Sequence, residues 1–120
     1  MEIFKEFVFD SAHSLPFVPE GHKCKNLHGH TFILRIYVKG KVDQTIGWVI
    51  DFADIKKICK PIIDSLDHKY LNEIEGLENP TSEVLALWLW KKIKPQLPQL
   101  SKIEVKETPT SGVVYCGEDE

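Results

Sequence analysis

The sequence is organised around a stretch that carries one thiol and two imidazoles, Cys24-Lys25-Asn26-Leu27-His28-Gly29-His30. Because side chains alternate along an extended chain, His28 and His30 point to the same face of a strand. The apolar residues at the next even-numbered positions share that parity: Phe32, Leu34, Ile36 and Val38. The stretch therefore predicts a strand over 30–39 whose inner face begins with two imidazoles.

Strands and a loop are also predicted on either side of this stretch. Residues 2–15 are rich in bulky apolar side chains with charges between them, which is typical of a strand or a long hairpin arm. His13 lies near the end of this arm and shares the parity of Phe9. A loop follows from Pro16, and a short third strand is predicted at 48–50.

Beyond residue 50 the spacing of apolar residues becomes helical. Asp51 or Asp54 can cap the first helix, which is expected to be kinked or broken at Pro61. A second helix opens at Thr81 or Ser82 and is apolar nearly all round, so more than one of its sides should be covered.

Alternation returns near the end of the chain, where strands are predicted at 101–107 and 113–116. The predicted order is β-β-(β)-α-α-β-β, with strands at both ends and helices between them. This order is typical of an α+β fold with an antiparallel sheet. A length of 120 residues indicates a single domain over 1–120.

Composition excludes several classes of function. The net charge of -3 argues against general nucleic-acid binding, which requires a basic field. No apolar run approaches the ~18 residues of a membrane span. Three widely spaced cysteines do not form a disulfide framework, so a reducing cytoplasmic location is expected.

The histidines are the first candidates for chemistry. Two on one strand face, with a third on a neighbouring strand, favour a metal site formed by His13, His28 and His30. Three neutral imidazoles with an open fourth position are an arrangement found in catalytic zinc sites. His22, in a loop, is the weaker competitor for the third position.

Cys24 has three interpretations: a fourth zinc ligand in a closed structural site, a catalytic thiolate, or an inert loop thiol. Asp67 and His68 are either an ordinary helix end or a carboxylate–imidazole pair, provided that the turn lets the two side chains meet. Glu107 has the parity of an apolar strand face, so it either binds a ligand edge through two N–H groups or lies in solvent beyond the strand end.

Six motifs together resemble the 6-pyruvoyltetrahydropterin synthase / QueD family, over essentially the whole length. They are Phe9-Asp10-Ser11-Ala12-His13, the 24–30 stretch, Gly47-Trp48-Val49-Ile50-Asp51-Phe52, Leu66-Asp67-His68, Glu78-Asn79-Pro80-Thr81-Ser82-Glu83 and Val105-Lys106-Glu107-Thr108. The Cys-x3-His-Gly-His spacing is similar to that of QueD-type 6-carboxy-5,6,7,8-tetrahydropterin synthases. The resemblance implies a tunnelling fold (T-fold), an antiparallel sheet with two helices on one face. Such subunits assemble into barrels, usually as a hexamer built from two trimers.

The resemblance also implies roles for individual residues. His13, His28 and His30 would bind Zn²⁺, and Cys24 would act as general base. Asp67 and His68 would form a relay that keeps Cys24 competent, from the same or a neighbouring subunit. Glu107 would anchor a pterin ring, with Thr81 and Ser82 near it.

The implied reaction converts 7,8-dihydroneopterin triphosphate to 6-carboxy-5,6,7,8-tetrahydropterin, releasing acetaldehyde and triphosphate, in queuosine biosynthesis. Lys23, Lys25, Arg35 and Lys106 are candidates for the triphosphate by charge alone. Two alternatives stay open: the chemistry of a 6-pyruvoyltetrahydropterin synthase on the same fold, and a non-enzymatic zinc module closed by Cys24.

Overall fold

The computed structural model describes residues 1–118, which form a four-stranded sheet covered by two helices. The elements follow in the order β1 (Glu2–His13), β2 (His28–Lys39), α1 (Phe52–Asp64), α2 (Ser82–Ile93), β3 (Leu100–Thr108) and β4 (Ser111–Tyr115). Short 3₁₀ turns lie at Lys23–Lys25 and Leu71–Glu73. All neighbouring strands are antiparallel, in the spatial order β1-β2-β3-β4. The predicted α+β class with an antiparallel sheet is confirmed.

The β1–β2 hairpin decides where the imidazoles lie. Its register pairs Glu2 with Lys39 at one end and His13 with His28 at the other. The even-numbered side chains of β2 are fully buried, as their parity predicts: Phe32, Leu34, Ile36 and Val38. His30 shares that parity, so it lies on the inner face beside the His13–His28 pair.

Strand β3 carries Glu107 to the same end of the sheet. It runs antiparallel to β2, with Val105 opposite Leu34 and Lys106 opposite Ile33. Each further step along β3 therefore approaches the beginning of β2, where two of the histidines lie. Because β3 extends to Thr108, Glu107 lies inside the strand and not beyond its end.

Helix α1 begins where the sequence predicts, because the Asp51 carboxylate accepts a hydrogen bond from the Ala53 N–H at 2.9 Å. It buries one stripe against the sheet: Ile55, Cys59 and Ile63. The helix runs unbroken through Pro61, so the expected break there is wrong. Pro61 and Lys57 both face solvent, where water can satisfy the Lys57 carbonyl that the proline leaves without a donor.

Helix α2 lies on the same face of the sheet as α1. Thr81 caps it, its Oγ1 accepting the Val84 N–H at 3.1 Å. The buried residues of both helices join the inner side chains of the strands in one core. The apolar surface of α2 is only partly covered within one chain, since Trp88 stays half-buried. Within residues 1–118, neither helix has the length and hydropathy to cross a membrane.

The third strand predicted at 48–50 is wrong. Trp48 has no regular structure and residues 49–50 form bends, at the end of a loop that closes on itself. The Asp43 N–H donates to the Trp48 carbonyl and the Gly47 N–H donates to the Asp43 carbonyl, each at 2.8 Å. The loop uses its own backbone groups in this way, while Val49 and Ile50 pack against the core as isolated apolar contacts.

Candidate metal and substrate site

Three imidazoles converge at the end of the β1–β2 hairpin. Nε2 of His13 lies 3.1 Å from Nε2 of His28. The ring centre of His30 is 5.1 Å from that of His13 and 4.8 Å from that of His28. His13 is fully buried and the other two rings are half-buried. The structure therefore brings together the three residues that the sequence suggests as metal ligands.

Backbone carbonyls fix the tautomer of two of these rings. Nδ1 of His13 lies 2.8 Å from the Pro80 carbonyl oxygen, and Nδ1 of His28 lies 2.7 Å from the Asn26 carbonyl oxygen. Since a carbonyl oxygen only accepts, both Nδ1 atoms carry a proton, and in the neutral rings both Nε2 atoms carry a lone pair. Two lone pairs facing each other at this distance repel unless a cation or a proton lies between them.

Glu107 faces the same point. Its Oε1 lies 3.2 Å from Nε2 of His13 and 3.1 Å from Nε2 of His30, while its Oε2 accepts the Ser82 hydroxyl at 3.2 Å. When the His13 ring is protonated, its Nε2–H donates to Oε1, and this hydrogen bond is the main cause that lowers the pKa of the Glu107 carboxyl. Burial lowers the pKa of the His30 ring. The site therefore favours an ionised Glu107 carboxylate and a neutral His30 ring.

This set of donors fits a divalent metal ion. The ligand atoms of His13, His28, His30 and Glu107 all lie within 4.8 Å of one another. Three imidazole nitrogens with a carboxylate or an open position suit Zn²⁺ and its neighbours in the first transition row. The outer nitrogens of two rings are already tied to carbonyl oxygens, which is the supporting arrangement that metal-bound histidines use.

Cys24 lies beside this cluster without belonging to it. The Leu15 N–H donates to its carbonyl at 2.8 Å, which ties the 3₁₀ turn at Lys23–Lys25 to the end of β1. Its half-buried side chain lines a cavity of about 290 Å³ with Lys23, His28 and His30. The four-residue ligand cluster found among residues 1–118 does not include Cys24. His22 is exposed, and its Nδ1 accepts the Cys24 N–H at 3.1 Å, outside the cluster.

Asp67 and His68 form the carboxylate–imidazole pair that the sequence left open. Nδ1 of His68 lies 3.0 Å from Oδ1 of Asp67. Adjacent side chains rarely meet, and here they do so because His68 has a left-handed backbone with φ of 57°. The Asp10 backbone holds both residues, since its N–H donates to Oδ1 of Asp67 at 3.0 Å and its carbonyl accepts the His68 N–H at 2.6 Å.

Within one chain this pair does not share the cavity of Cys24. His68 lines a separate cavity of about 550 Å³, whose wall includes Gly29, His30 and Thr31. The His68 side chain is 78% exposed, so its Nε2 is open to a molecule from outside the chain. The structure therefore assembles the pair but does not bring it to Cys24.

Thr81 and Ser82 meet other protein groups in this structure. Thr81 uses its hydroxyl to cap α2. Ser82 is buried and donates its hydroxyl to Glu107, so it holds the carboxylate in place. The same two residues, Ser82 and Glu107, line a cavity of about 210 Å³ together with Gly112 and Val113.

Sequence reasoning missed the backbone groups that orient the imidazoles. The carbonyls of Asn26 and Pro80 carry no pattern of their own, because every residue has a carbonyl. The available signal was position: Asn26 lies inside the 24–30 stretch, and Pro80 lies inside the motif that opens α2.

Comparison with known proteins gives one consistent family. The family model described as 6-pyruvoyl tetrahydropterin synthase matches residues 2–118. A 6-carboxy-5,6,7,8-tetrahydropterin synthase from Synechocystis sp. is 44% identical over 119 residues, covering 94% of this chain and 91% of that protein. A dihydroneopterin monophosphate aldolase from Pyrococcus furiosus is 36% identical, covering 88% of each. The solved structure of Caenorhabditis elegans 6-pyruvoyl tetrahydropterin synthase aligns with a TM-score of 0.90 and 28% identity, covering 98% of this chain and 96% of that one.

Proposed function

Because this chain belongs to the 6-pyruvoyl tetrahydropterin synthase family and is an enzyme of that family, we propose that it is a zinc-dependent carbon–carbon lyase. The proposed reaction converts 7,8-dihydroneopterin triphosphate and water to 6-carboxy-5,6,7,8-tetrahydropterin, acetaldehyde and triphosphate, as a step of queuosine (7-deazapurine) biosynthesis. The observation that carries the proposal is the convergence of three imidazoles and Glu107 beside the cavity of Cys24. The 44% identity to a protein named for this activity supports the choice of reaction.

His13, His28 and His30 would hold the zinc through their Nε2 atoms. When bound, the ion supplies Lewis acidity to the oxygens of the substrate side chain and orients them. The chain's own part is to keep these nitrogens free of protons. The carbonyls of Pro80 and Asn26 do so for two rings by holding the proton on Nδ1. Burial favours the neutral form of His30 by lowering the pKa of that ring.

Glu107 would anchor the pterin ring through the ring N–H and the neighbouring amino group, a pair of donors that matches a carboxylate bidentately. Its lowered pKa keeps it ionised for this role, and Ser82 fixes the direction of Oε2. Ser82 and Thr81 would then flank the ring at the beginning of α2. Because Oε1 also lies within reach of the histidines, the competing role for Glu107 is that of a fourth metal ligand.

Cys24 would act as the general base that removes a proton from a side-chain carbon of the substrate, and His68 would exchange protons with it. Asp67 holds the Nδ1 proton of His68, which leaves Nε2 as the atom that gains and loses a proton. Since His68 and Cys24 line different cavities of one chain, we place the Asp67–His68 pair in the site of a neighbouring subunit.

The proposed assembly is a homo-oligomer of T-fold subunits, a hexamer built from two trimers, located in the cytoplasm. Strands β1 and β4 are the outer strands of the sheet and can continue it into another copy. Apolar side chains that are exposed in the single chain, Phe4, Val8 and Trp48 among them, favour further burial on assembly. Mass measurement of the native protein tests this, and a monomer at micromolar concentration would contradict it.

The reaction is tested by incubating zinc-loaded protein with 7,8-dihydroneopterin triphosphate. Acetaldehyde is measured by coupled reduction, and the pterin product is identified by mass. We expect acetaldehyde and 6-carboxy-5,6,7,8-tetrahydropterin in equal amounts. Absence of acetaldehyde, with bound metal confirmed by elemental analysis, would reject the lyase proposal.

A second candidate keeps the site and changes the product. The relatives named as a dihydroneopterin monophosphate aldolase and a 6-pyruvoyl tetrahydropterin synthase share this fold and family. The same mass analysis separates these activities, since each gives a different pterin. The third alternative, a structural zinc module, gains no support from the placement of Cys24 outside the ligand cluster.

A further inference from the structure

We propose that Asn72 is a positioning residue of the metal centre, holding His13 in place from outside the set of ligands. The proposal rests on the metal site described above and adds to it a residue without a ligand or proton-transfer role. Asn72 lies in the 3₁₀ turn at Leu71–Glu73 and is half-buried.

The Asn72 side chain uses both ends of its amide. Its Oδ1 accepts the Ser14 N–H at 3.0 Å, and its Nδ2 donates to the Ser14 carbonyl at 2.8 Å and to the Glu78 carbonyl at 3.4 Å. The partners fix which way the amide points, because an N–H must face the oxygen and carbonyls must face the amino group. Asn72 thus binds two separate stretches of backbone with one rigid planar group.

One of those stretches carries the His13 ring, and the other carries the carbonyl that the ring contacts. Ser14 is the residue that follows His13, where β1 ends and the sheet no longer holds the backbone. Glu78 lies two residues before Pro80, whose carbonyl accepts the Nδ1 proton of His13. The same amide therefore holds the backbone that carries the ring and the segment that carries its acceptor.

Asn72 joins these two stretches in addition to the hydrogen bond between the His13 ring and the Pro80 carbonyl. On one side, the Ala12 N–H donates to the Lys69 carbonyl at 2.9 Å, which lays the segment that carries Asn72 along the edge of β1. On the other side, Pro80 has a φ fixed by its ring and is followed by Thr81, which caps α2. A loss of Asn72 lets the end of β1 and the Pro80 segment move apart, and the Nε2 of His13 moves with them.

The experiment titrates Co²⁺ into metal-free protein and records the visible d–d absorption, which reports the geometry around the ion. The variants are Asn72→Ala and Asn72→Asp. Asn72→Asp keeps an acceptor for the Ser14 N–H but places an oxygen against two carbonyls, so it breaks the link with little change of shape. Tyr70→Phe is the matched control, since it removes a contact from the same segment to the Ser14 hydroxyl and leaves the amide bonds intact. Thermal unfolding in a chelator follows the fold without metal.

We expect both Asn72 variants to lose Co²⁺ affinity on the order of 10-fold, as for other supporting residues of metal sites. Their d–d spectra should shift, whereas Tyr70→Phe should match the parent in both measurements. Variants that unfold at lower temperature but keep the parent affinity and spectrum would overturn the proposal, because Asn72 would then be structural only. A parent protein that binds no Co²⁺ would instead reject the metal centre itself, and Asn72 with it.

Discussion

Two histidine arrangements in this protein share one feature, an oxygen atom in contact with Nδ1, but place their rings in different surroundings. His13 and His28 each give the Nδ1 proton to a backbone carbonyl, and His68 faces the carboxylate of Asp67 with its Nδ1. Each ring is thereby left with Nε2 as the nitrogen that this partner does not contact. In the first arrangement the Nε2 atoms converge on one point in a half-buried cluster, whereas Nε2 of His68 belongs to a side chain that is 78% exposed.

The difference shows that burial and the neighbouring groups decide whether a histidine suits metal binding or proton exchange. Converging lone pairs in a half-buried cluster repel unless a cation or a proton lies between them, and the carbonyl partners keep the rings suited to bind a metal ion. An accessible ring beside a carboxylate suits proton exchange, because the carboxylate compensates the charge that the ring gains with a proton. The four candidate ligands of the cluster all come from one chain. The Asp67–His68 pair needs a group from outside that chain with which to exchange a proton.

Removal of a ligand should give the largest effect. His30→Ala should lose bound zinc and reduce turnover by about 10³-fold or more, since Lewis-acid catalysis contributes several kcal/mol. His22→Ala is the matched control for zinc content only, because that exposed imidazole lies outside the cluster but accepts the Cys24 N–H. Zinc content by elemental analysis and acetaldehyde release measure both variants. Retention of stoichiometric zinc in His30→Ala would remove that residue from the ligand set.

Loss of the thiol should separate chemistry from metal binding. Cys24→Ala should lower turnover about 10²- to 10⁴-fold, the range for general acid–base groups, with zinc content unchanged. Cys59→Ala is not a suitable control, since that side chain is buried in the core. Cys116→Ala changes an exposed thiol and should leave both values as in the parent. Zinc loss together with reduced stability in Cys24→Ala would instead support a structural site.

The exposed pair should give a smaller effect without loss of metal. Asp67→Asn should reduce turnover by roughly 10- to 100-fold, because it removes the charge that supports proton exchange at His68. Asp64→Asn, at an exposed carboxylate paired with Lys60, is the control. Equal turnover in the two variants would exclude a relay through Asp67.

The pH dependence of turnover tests the role of Asp67 in a second way. The N–H of Asp10 is the main cause that holds the pKa of Asp67 below its usual value of 3.8. Because this pKa is lowered, the Asp67 carboxylate stays mostly ionised at pH 3.8 and loses its charge only at lower pH. Asp67 therefore does not titrate between pH 5 and pH 9, and the acidic side of the turnover profile should have the same shape in the parent and in Asp67→Asn. An acidic limb present in the parent and absent from Asp67→Asn would show that Asp67 titrates in this range.

The smallest effect is expected at the support of Glu107. Ser82→Ala removes one hydrogen bond to the carboxylate and should raise KM about fivefold, equivalent to about 1 kcal/mol. Zinc content and kcat should change little. Ser101→Ala, which removes a similar bond to Glu2 elsewhere on the sheet, is the control. An unchanged KM in Ser82→Ala would show that Glu107 needs no such support.

The local pattern of the sequence was sufficient for the elements and for the inward face of β2. Alternation placed His28 and His30 with the buried even-numbered residues, and Asp51 and Thr81 cap their helices as expected. These features depend on parity and on contacts within a few residues, so the sequence alone determines them. The same local reading failed at 48–50, where apolar residues resemble a strand but the loop bonds to itself.

Tertiary structure decided everything that joins distant parts of the chain. The hairpin register brings His13 opposite His28, and the path between the helices brings the Pro80 carbonyl to the His13 ring. A left-handed backbone at His68, stabilised by bonds to Asp10, turns two adjacent side chains toward each other. No local pattern specifies these contacts, because each depends on where two segments far apart in sequence come to rest in the folded chain.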